Sequence, residues 1–298
     1  MKRLVLLIGA AAFAANVVNA DQRIPISESE LRAKAAAGDI KAQTSLGLAL
    51  TRGEGVTKDE VEGAKWYRKA AEQGNALAQF NLGLLYAEGK GVVKNEVEAA
   101  SWYRKAAEQG DADAQVQLGI RYQFGMGVVK NEVEAASWYR KAAERGNAVA
   151  QLQLGASYIN GHGEVKDDLE GVKWLRKAAE QGLAKAQFDL GVSYAKGQGV
   201  VKDEVEASKW YRKAAEQGNA LAQFNLGLLY AEGKGVVKDQ VEAYALINLS
   251  AVTDPFARKA REILENTLSR EEIAAGQRRS RELQKEIEAK QKGAPGAP

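Results

Sequence analysis

The residue types that carry most protein chemistry are scarce in this chain. It has 298 residues, no cysteine and one histidine, His162, set between Gly161 and Gly163. Thiol nucleophiles, zinc fingers, disulfide frameworks and multi-histidine metal centres are thereby excluded. At intervals of 36 residues the equivalents of His162 are Glu54, Lys90, Met126, Gln198 and Lys234, so the position reads as a solvated loop. Catalysis by His needs a positioned partner, and none recurs beside it. Ser193-Tyr-Ala-Lys196 matches the Ser-x-x-Lys of penicillin-recognising enzymes, but neither Ser-Asp-Asn nor Lys-Thr-Gly accompanies it. The Trp-Tyr-Arg-Lys runs could be taken for a nucleic-acid surface. Trp66 and its equivalents are instead expected in the core, with Arg68 and Lys69 solvated and offset by Glu60, Glu62 and Glu72. With 42 basic against 39 acidic residues the net charge is +3, too small for a dedicated nucleic-acid binder. Gly-x-Gly-Val lacks the Lys-Ser/Thr and preceding strand of a phosphate loop. No metal, cofactor or nucleic acid is therefore expected.

The elements that would position any site follow from one period. Trp66, Trp102, Trp138, Trp174 and Trp210 are each 36 residues apart, the mark of a repeat array. Four glycine columns, starting at Gly38, Gly47, Gly53 and Gly55, have six members each and hold 24 of the 30 glycines. Residues 65–94 and 209–238 are the same thirty letters. Each period contains two helices. Asp59, Asn95, Asn131, Asp167, Asp203 and Asp239 are each followed three residues later by Glu, which predicts six capping boxes opening a helix B. That helix, as in 59–73, places Val61, Ala64, Trp66, Ala70 and Ala71 on one stripe and ends at a left-handed Gly74. Helix A, as in 75–88, carries Ala78, Leu82, Leu85 and Tyr86, with Gly83 inside it. An interior glycine costs about 1 kcal/mol relative to alanine, so its recurrence predicts a neighbouring backbone too close for a methyl group.

The Leu-Gly-x-x-Tyr, Gly-x-Gly-Val, Trp-Tyr and Ala-Ala-x-x-Gly series over residues 31–252 resembles the Sel-one-like repeat (SLR) family, relatives of the tetratricopeptide repeats. The resemblance implies an all-α fold, a right-handed α-solenoid of antiparallel helix pairs, used as an adaptor that holds other proteins. It also leaves an alternative, a cell-wall or β-lactam-directed enzyme, for which Ser193 would be the nucleophile. Local departures are Leu50 for Tyr, Leu175 for the second aromatic of Trp-Tyr, Leu183 for a helix cap and Leu246 for Trp.

The ends read differently. Residues 1–20 form a leader, with Lys2 and Arg3, an apolar run from Leu4 to Ala15 and a Val18-Asn19-Ala20 cleavage site. The run is shorter than the about 20 residues a spanning helix needs, so export to a periplasm or beyond is expected. Residues 21–38 are expected to cap the array as a half repeat, 39–254 to form six repeats, 255–290 to form basic capping helices and 291–298 a disordered tail. Ser269 and Glu272 make a further capping box. Residues 255–298 carry ten basic and seven acidic residues, a net +3, with Arg278, Arg279, Arg281 and Lys285 concentrated; these four are the one expected contact with an anionic surface such as a membrane leaflet. The chain is expected to be a monomer.

Partner specificity must come from columns that vary. Two lie on helix A: Ser45, Asn81, Gln117, Gln153, Asp189, Asn225, polar throughout, and Ala49, Leu85, Arg121, Ser157, Ser193, Leu229. The third and fourth copies depart most from the duplicated pair. Gln117, Arg121, Gln123, Phe124, Met126, Gln153, Ser157, Ile159 and Asn160 are the expected lining of a concave groove for a peptide or protein partner.

Overall fold

Each helix B opens on the Asp or Asn expected to cap it. The computed structural model describes residues 27–293, and in it the Asp59 carboxylate accepts from the Glu62 amide at 2.8 Å, while Asn95 accepts from Val97 and Glu98 at 3.0 and 3.1 Å. The second half of the predicted box is absent from these helices. The cap's own N–H donates instead to a carbonyl at the end of helix A, Asp59 to Leu50 and Asn95 to Tyr86, each at 2.9 Å. Glu62 is thereby free to take the Arg32 guanidinium and the Trp66 indole N–H. A box closed in both directions occurs at Ser269 and Glu272.

Fifteen helices and no strand are present among the described residues, in two compact units. The first unit holds α1 (Glu28–Ala36), α2 (Ile40–Arg52), α3 (Glu60–Glu72), α4 (Ala76–Glu88), α5 (Glu96–Glu108), α6 (Ala112–Phe124) and α7 (Glu132–Glu144), with residues 162–164. The second takes most of α8 (Ala148–Asn160), then α9 (Asp168–Glu180), α10 (Ala184–Lys196), α11 (Glu204–Ala215), α12 (Ala220–Glu232), α13 (Gln240–Ser250), α14 (Pro255–Thr267) and α15 (Arg270–Gly293). In each unit consecutive helices joined by short connections pack as αα-hairpins, the building block of α-solenoids. The leader read at residues 1–20 lies outside the described residues. The last helix runs to Gly293, so 291–293 are helical where a tail was expected, and 294–298 lie outside the described residues.

Two adjacent aromatic residues divide the packing between them. Tyr67, Tyr103 and Tyr139 of the first unit are fully buried, and each ring lies over a glycine of its hairpin partner: a methyl on Gly47, Gly83 or Gly119 would fall 2.8, 2.8 or 2.5 Å from a tyrosine ring atom. In these three repeats the helix-A glycine is therefore required by a ring and not, as expected, by a backbone, whereas a methyl on Gly155 of the second unit would fall 2.9 Å from the Gly171 carbonyl oxygen, as expected. The preceding tryptophan sits between two hairpins: Trp102 packs with Leu82 and Leu85 of its own partner helix and with Ala64 and Ala71 of the previous helix B. That column is less buried than predicted. Trp102 and Trp210 are buried, while Trp66, Trp138 and Trp174 are half-buried, with the ammonium of the lysine three residues on lying over each ring, as Lys69 does 4.1 Å from the centre of Trp66. Val61, placed in the core by the helical stripe, is 53% exposed.

The buried tyrosines make the fold sensitive to alkali. Burial pushes the Tyr67 and Tyr211 hydroxyls up to about 12 and raises those of Tyr103 and Tyr139 as well. A group whose pKa is higher folded than unfolded contributes stability in full below its unfolded value, about 10, and loses it as pH rises through the folded value. Melting temperature should therefore stay level up to about pH 10 and drop between about 10 and 12. Tyr103→Phe should shrink that drop at a cost of no more than about 1 kcal/mol at neutral pH, because the Tyr103 hydroxyl has only the Arg121 guanidinium beside it and no well-formed hydrogen bond. Thermal melts of both proteins across this range check it.

Candidate functional site

Helix α6 and the loop after it carry five of the expected partner residues, all in the first unit. Gln117, one turn before Arg121, is half-buried. Arg121 does not face solvent: its side chain is 6% exposed, it donates from Nη1 to Glu96 Oε2 at 2.6 Å, and its guanidinium lies 5.1 Å from the centre of the Tyr103 ring. It fills the place that Leu85 occupies one repeat earlier, also buried, so it is a core ion pair and not a groove contact. Gln123 is half-buried and accepts from the Tyr139 hydroxyl at 2.8 Å. Phe124, the last residue of α6, is 48% exposed, and Met126 is half-buried.

The remaining four belong to the second unit, on α8. Gln153 is half-buried; Ser157 is buried; Ile159 packs on the Val172, Leu175 and Leu190 cluster; Asn160 is exposed, with its amide turned back to the Ala156 carbonyl at 2.8 Å. Two members of the polar column expected to bond a peptide likewise turn back on their own helix: Asn81 donates to Leu77 O at 3.0 Å and Asn225 to Leu221 O at 2.7 Å. Side chains of this length and polarity can satisfy a carbonyl one turn back, which periodicity does not reveal.

The chemistry-bearing residues are equally committed. Ser193 is buried and its hydroxyl donates to Asp189 O, four residues back on α10, at 3.1 Å; it is not presented as a nucleophile. His162 is exposed in its loop. No group of three or more His, Asp or Glu that could hold a metal ion occurs among the described residues, and no described helix is long and apolar enough to cross a membrane. Of the basic cluster on α15, Arg279 reaches Glu242 at 3.0 Å and Glu286 at 3.3 Å, docking the helix on α13 alongside the Asn248–Ser280 bond at 3.0 Å. Arg278, Arg281 and Lys285 are exposed.

Two features went unnoticed in the sequence. The second valine of Gly-x-Gly-Val-Val is almost wholly uncovered, Val93 at 87% and Val129 at 86% in the first unit, and Val201 and Val237 likewise in the second. The signal was present as a recurring apolar pair in a loop. The other is a chain of glutamines in which buried Gln43, Gln79 and Gln115 alternate with exposed Gln73 and Gln109. Gln73 donates to Gln43 Oε1 and Gln109 to Gln79 Oε1, each at 2.7 Å, while Gln43, Gln79 and Gln115 donate to Ala35, Ala71 and Ala107 carbonyls at 3.1, 3.0 and 3.0 Å. Arg145 interrupts the column that Gln73 and Gln109 begin.

Comparison with known proteins bears directly on this architecture. Among solved structures, a Sel1 repeat protein from Oxalobacter formigenes is 39% identical, with 74% of this chain and 89% of that one covered at a TM-score of 0.68. The c5321 protein, described as a protective antigen of uropathogenic Escherichia coli displaying an SLR fold, is 30% identical, with 89% and 74% covered at a TM-score of 0.51. No curated protein matches the chain. Residues 40–75, 76–111, 112–147, 148–183, 184–219 and 220–251 each match the Sel1 repeat, and with six consecutive copies in the observed helix pairs the chain belongs to the Sel1 repeat family.

Proposed function

We propose that the chain is a non-enzymatic scaffold that holds another protein or a peptide, exported through its leader to a bacterial periplasm or beyond and acting as a monomer. The observation that carries the reading is the row of uncovered valines. Single exposed apolar residues are ordinary on protein surfaces, but here the same loop position stays bare in one repeat after another, Val93 and Val129 in the first unit and Val201 and Val237 in the second. Water contact at these side chains is relieved when a partner covers them. Phe124, exposed at the end of α6, offers the first unit an aromatic anchor of the kind interfaces favour. Repeat proteins of this family serve generally as protein-interaction scaffolds, and the relative described as a protective antigen fits an exported role. Arg278, Arg281 and Lys285 are the groups available for contact with an anionic surface.

The test is crosslinking and affinity capture from envelope extracts with three proteins. The wild type should retain a partner. Replacing Val93, Val129, Val201 and Val237 with serine should lower capture about tenfold or more, a loss of one modest hot spot, while helical content and melting hold because these side chains make no core contact. Gln117→Ala with Phe124→Ala measures the α6 surface and should also weaken capture. Full retention by both variants, or β-lactam hydrolysis that Ser193→Ala removes, would refute the reading.

A further inference from the structure

A pocket lies at the break in the glutamine chain. In the first unit Gln43 and Gln79 use both ends of the amide: Gln79, for instance, donates to the Ala71 carbonyl and accepts from Gln109. Gln115 repeats the first bond, to Ala107 O at 3.0 Å, but Arg145 stands where Gln109 stood, and Gln115 Oε1 is buried with no hydrogen-bond partner in a residue only 3% exposed. Leaving a buried carbonyl unpaired costs about 1 to 3 kcal/mol. Gln115 and Arg145 share the wall of an open pocket of about 500 Å³ with Glu108, Trp138, Lys141 and Glu144. Two cations and two carboxylates leave it formally neutral.

We propose that this pocket receives a carboxamide side chain, glutamine or asparagine, from an extended segment of the partner; the proposal rests on the scaffold reading above. The sister repeats show what Gln115 Oε1 lacks, an amide N–H at about the 2.7 Å that Gln73 and Gln109 provide. A carboxamide supplies that donor while its own oxygen accepts from the Arg145 guanidinium. A carboxylate satisfies Arg145 but cannot donate to Gln115, and an ammonium donates but meets Arg145 as a like charge. The methylenes of the guest run beside Trp138, whose ring Lys141 holds at 3.8 Å from its centre.

Titrating the isotope-labelled full chain with the blocked tripeptide Ala-Gln-Ala and its Glu and Leu counterparts tests this by NMR. The Gln115 side-chain amide and Arg145 Nε–H signals should move with the glutamine peptide, which should bind about tenfold tighter than either analogue, the discrimination one buried hydrogen bond confers. Arg145→Gln supplies the missing carboxamide from within, as the sister repeats do, and should remain folded and lose the response. Equal binding of the three peptides, no response in the wild type, or an undiminished response in Arg145→Gln would overturn the proposal. A chain that captures a partner yet shows no such selectivity would overturn the pocket alone and leave the scaffold standing.

Discussion

Replacing Gly127 with alanine should destabilise the first unit by about 3 to 5 kcal/mol, the sum of left-handed backbone strain and an overpacked contact that cannot relax. Gly127 has a φ of +71°, and a methyl placed on it would lie 2.7 Å from the Val97 nitrogen and closer still to the Glu96 carbonyl. Glu96 is the first residue of α5, held by the Asn95 cap, so the obstacle is backbone and not the tip of a flexible side chain. Gly91 sits against Glu60 and Gly163 against Glu132 in the same manner, so this loop glycine is the point at which one hairpin is seated on the previous helix B. Gly55 supplies the control. Its φ is +74°, yet nothing lies within 4 Å of its methyl position. Gly55→Ala should therefore cost only the backbone strain, about 1 kcal/mol. Chemical denaturation of the two variants beside wild type measures the difference; equal losses would mean that the loop glycines serve turn geometry alone.

This contrast also marks what the sequence could and could not disclose. The 36-residue period, the caps and the glycine columns were all legible, because every copy repeats the same local requirement. Periodicity does not say which neighbour imposes it. Gly83 and Gly91 recur equally well, yet one is pressed by the Tyr103 ring and the other by a backbone carbonyl, and within the column of Gly83 the close backbone approach holds at Gly155 while a ring takes its place at Gly47, Gly83 and Gly119. Trp102 and Tyr103 are adjacent, about 100° apart on a helix, so a hydrophobic stripe admits both. Only the packing shows that the tyrosine lies over the glycine of its own hairpin while the tryptophan bridges that hairpin and the previous helix B. The candidate site was less legible for a related reason. Variation at Arg121 and Ser157 looked like surface diversity, but the column runs through the core, where Leu85 and Arg121 fill equivalent places with different chemistry. Arg145 departs from the glutamine of its column, and its consequence falls on Gln115, thirty positions away.

Arg121 and Glu96 provide the sharpest test of that reassignment, through an asymmetry. Glu96→Ala should cost about 2 to 3 kcal/mol, because it strands a guanidinium in the core; the value lies below the full penalty of a buried pair since the Glu96 side chain is one-third exposed. The Arg121 Nε is already buried without a partner, and the acceptor beside the released guanidinium is the neutral Tyr103 hydroxyl, which does not replace a carboxylate. Removing the other partner should behave differently. Arg121→Leu installs the residue that Leu85 represents one repeat earlier, replaces a desolvated charge by an apolar side chain, and leaves Glu96 both access to water and its contact with Lys94 at 3.2 Å. Its stability should stay within about 1 kcal/mol of wild type. The double variant should match Arg121→Leu, which makes the coupling in a double-mutant cycle about 2 kcal/mol. A solvated groove arginine would give the opposite pattern: both single variants within about 0.5 kcal/mol of wild type, no coupling, and partner capture lost with Arg121→Leu alone. Urea unfolding of the four proteins, with capture assayed on the same samples, separates a core charge from a recognition charge.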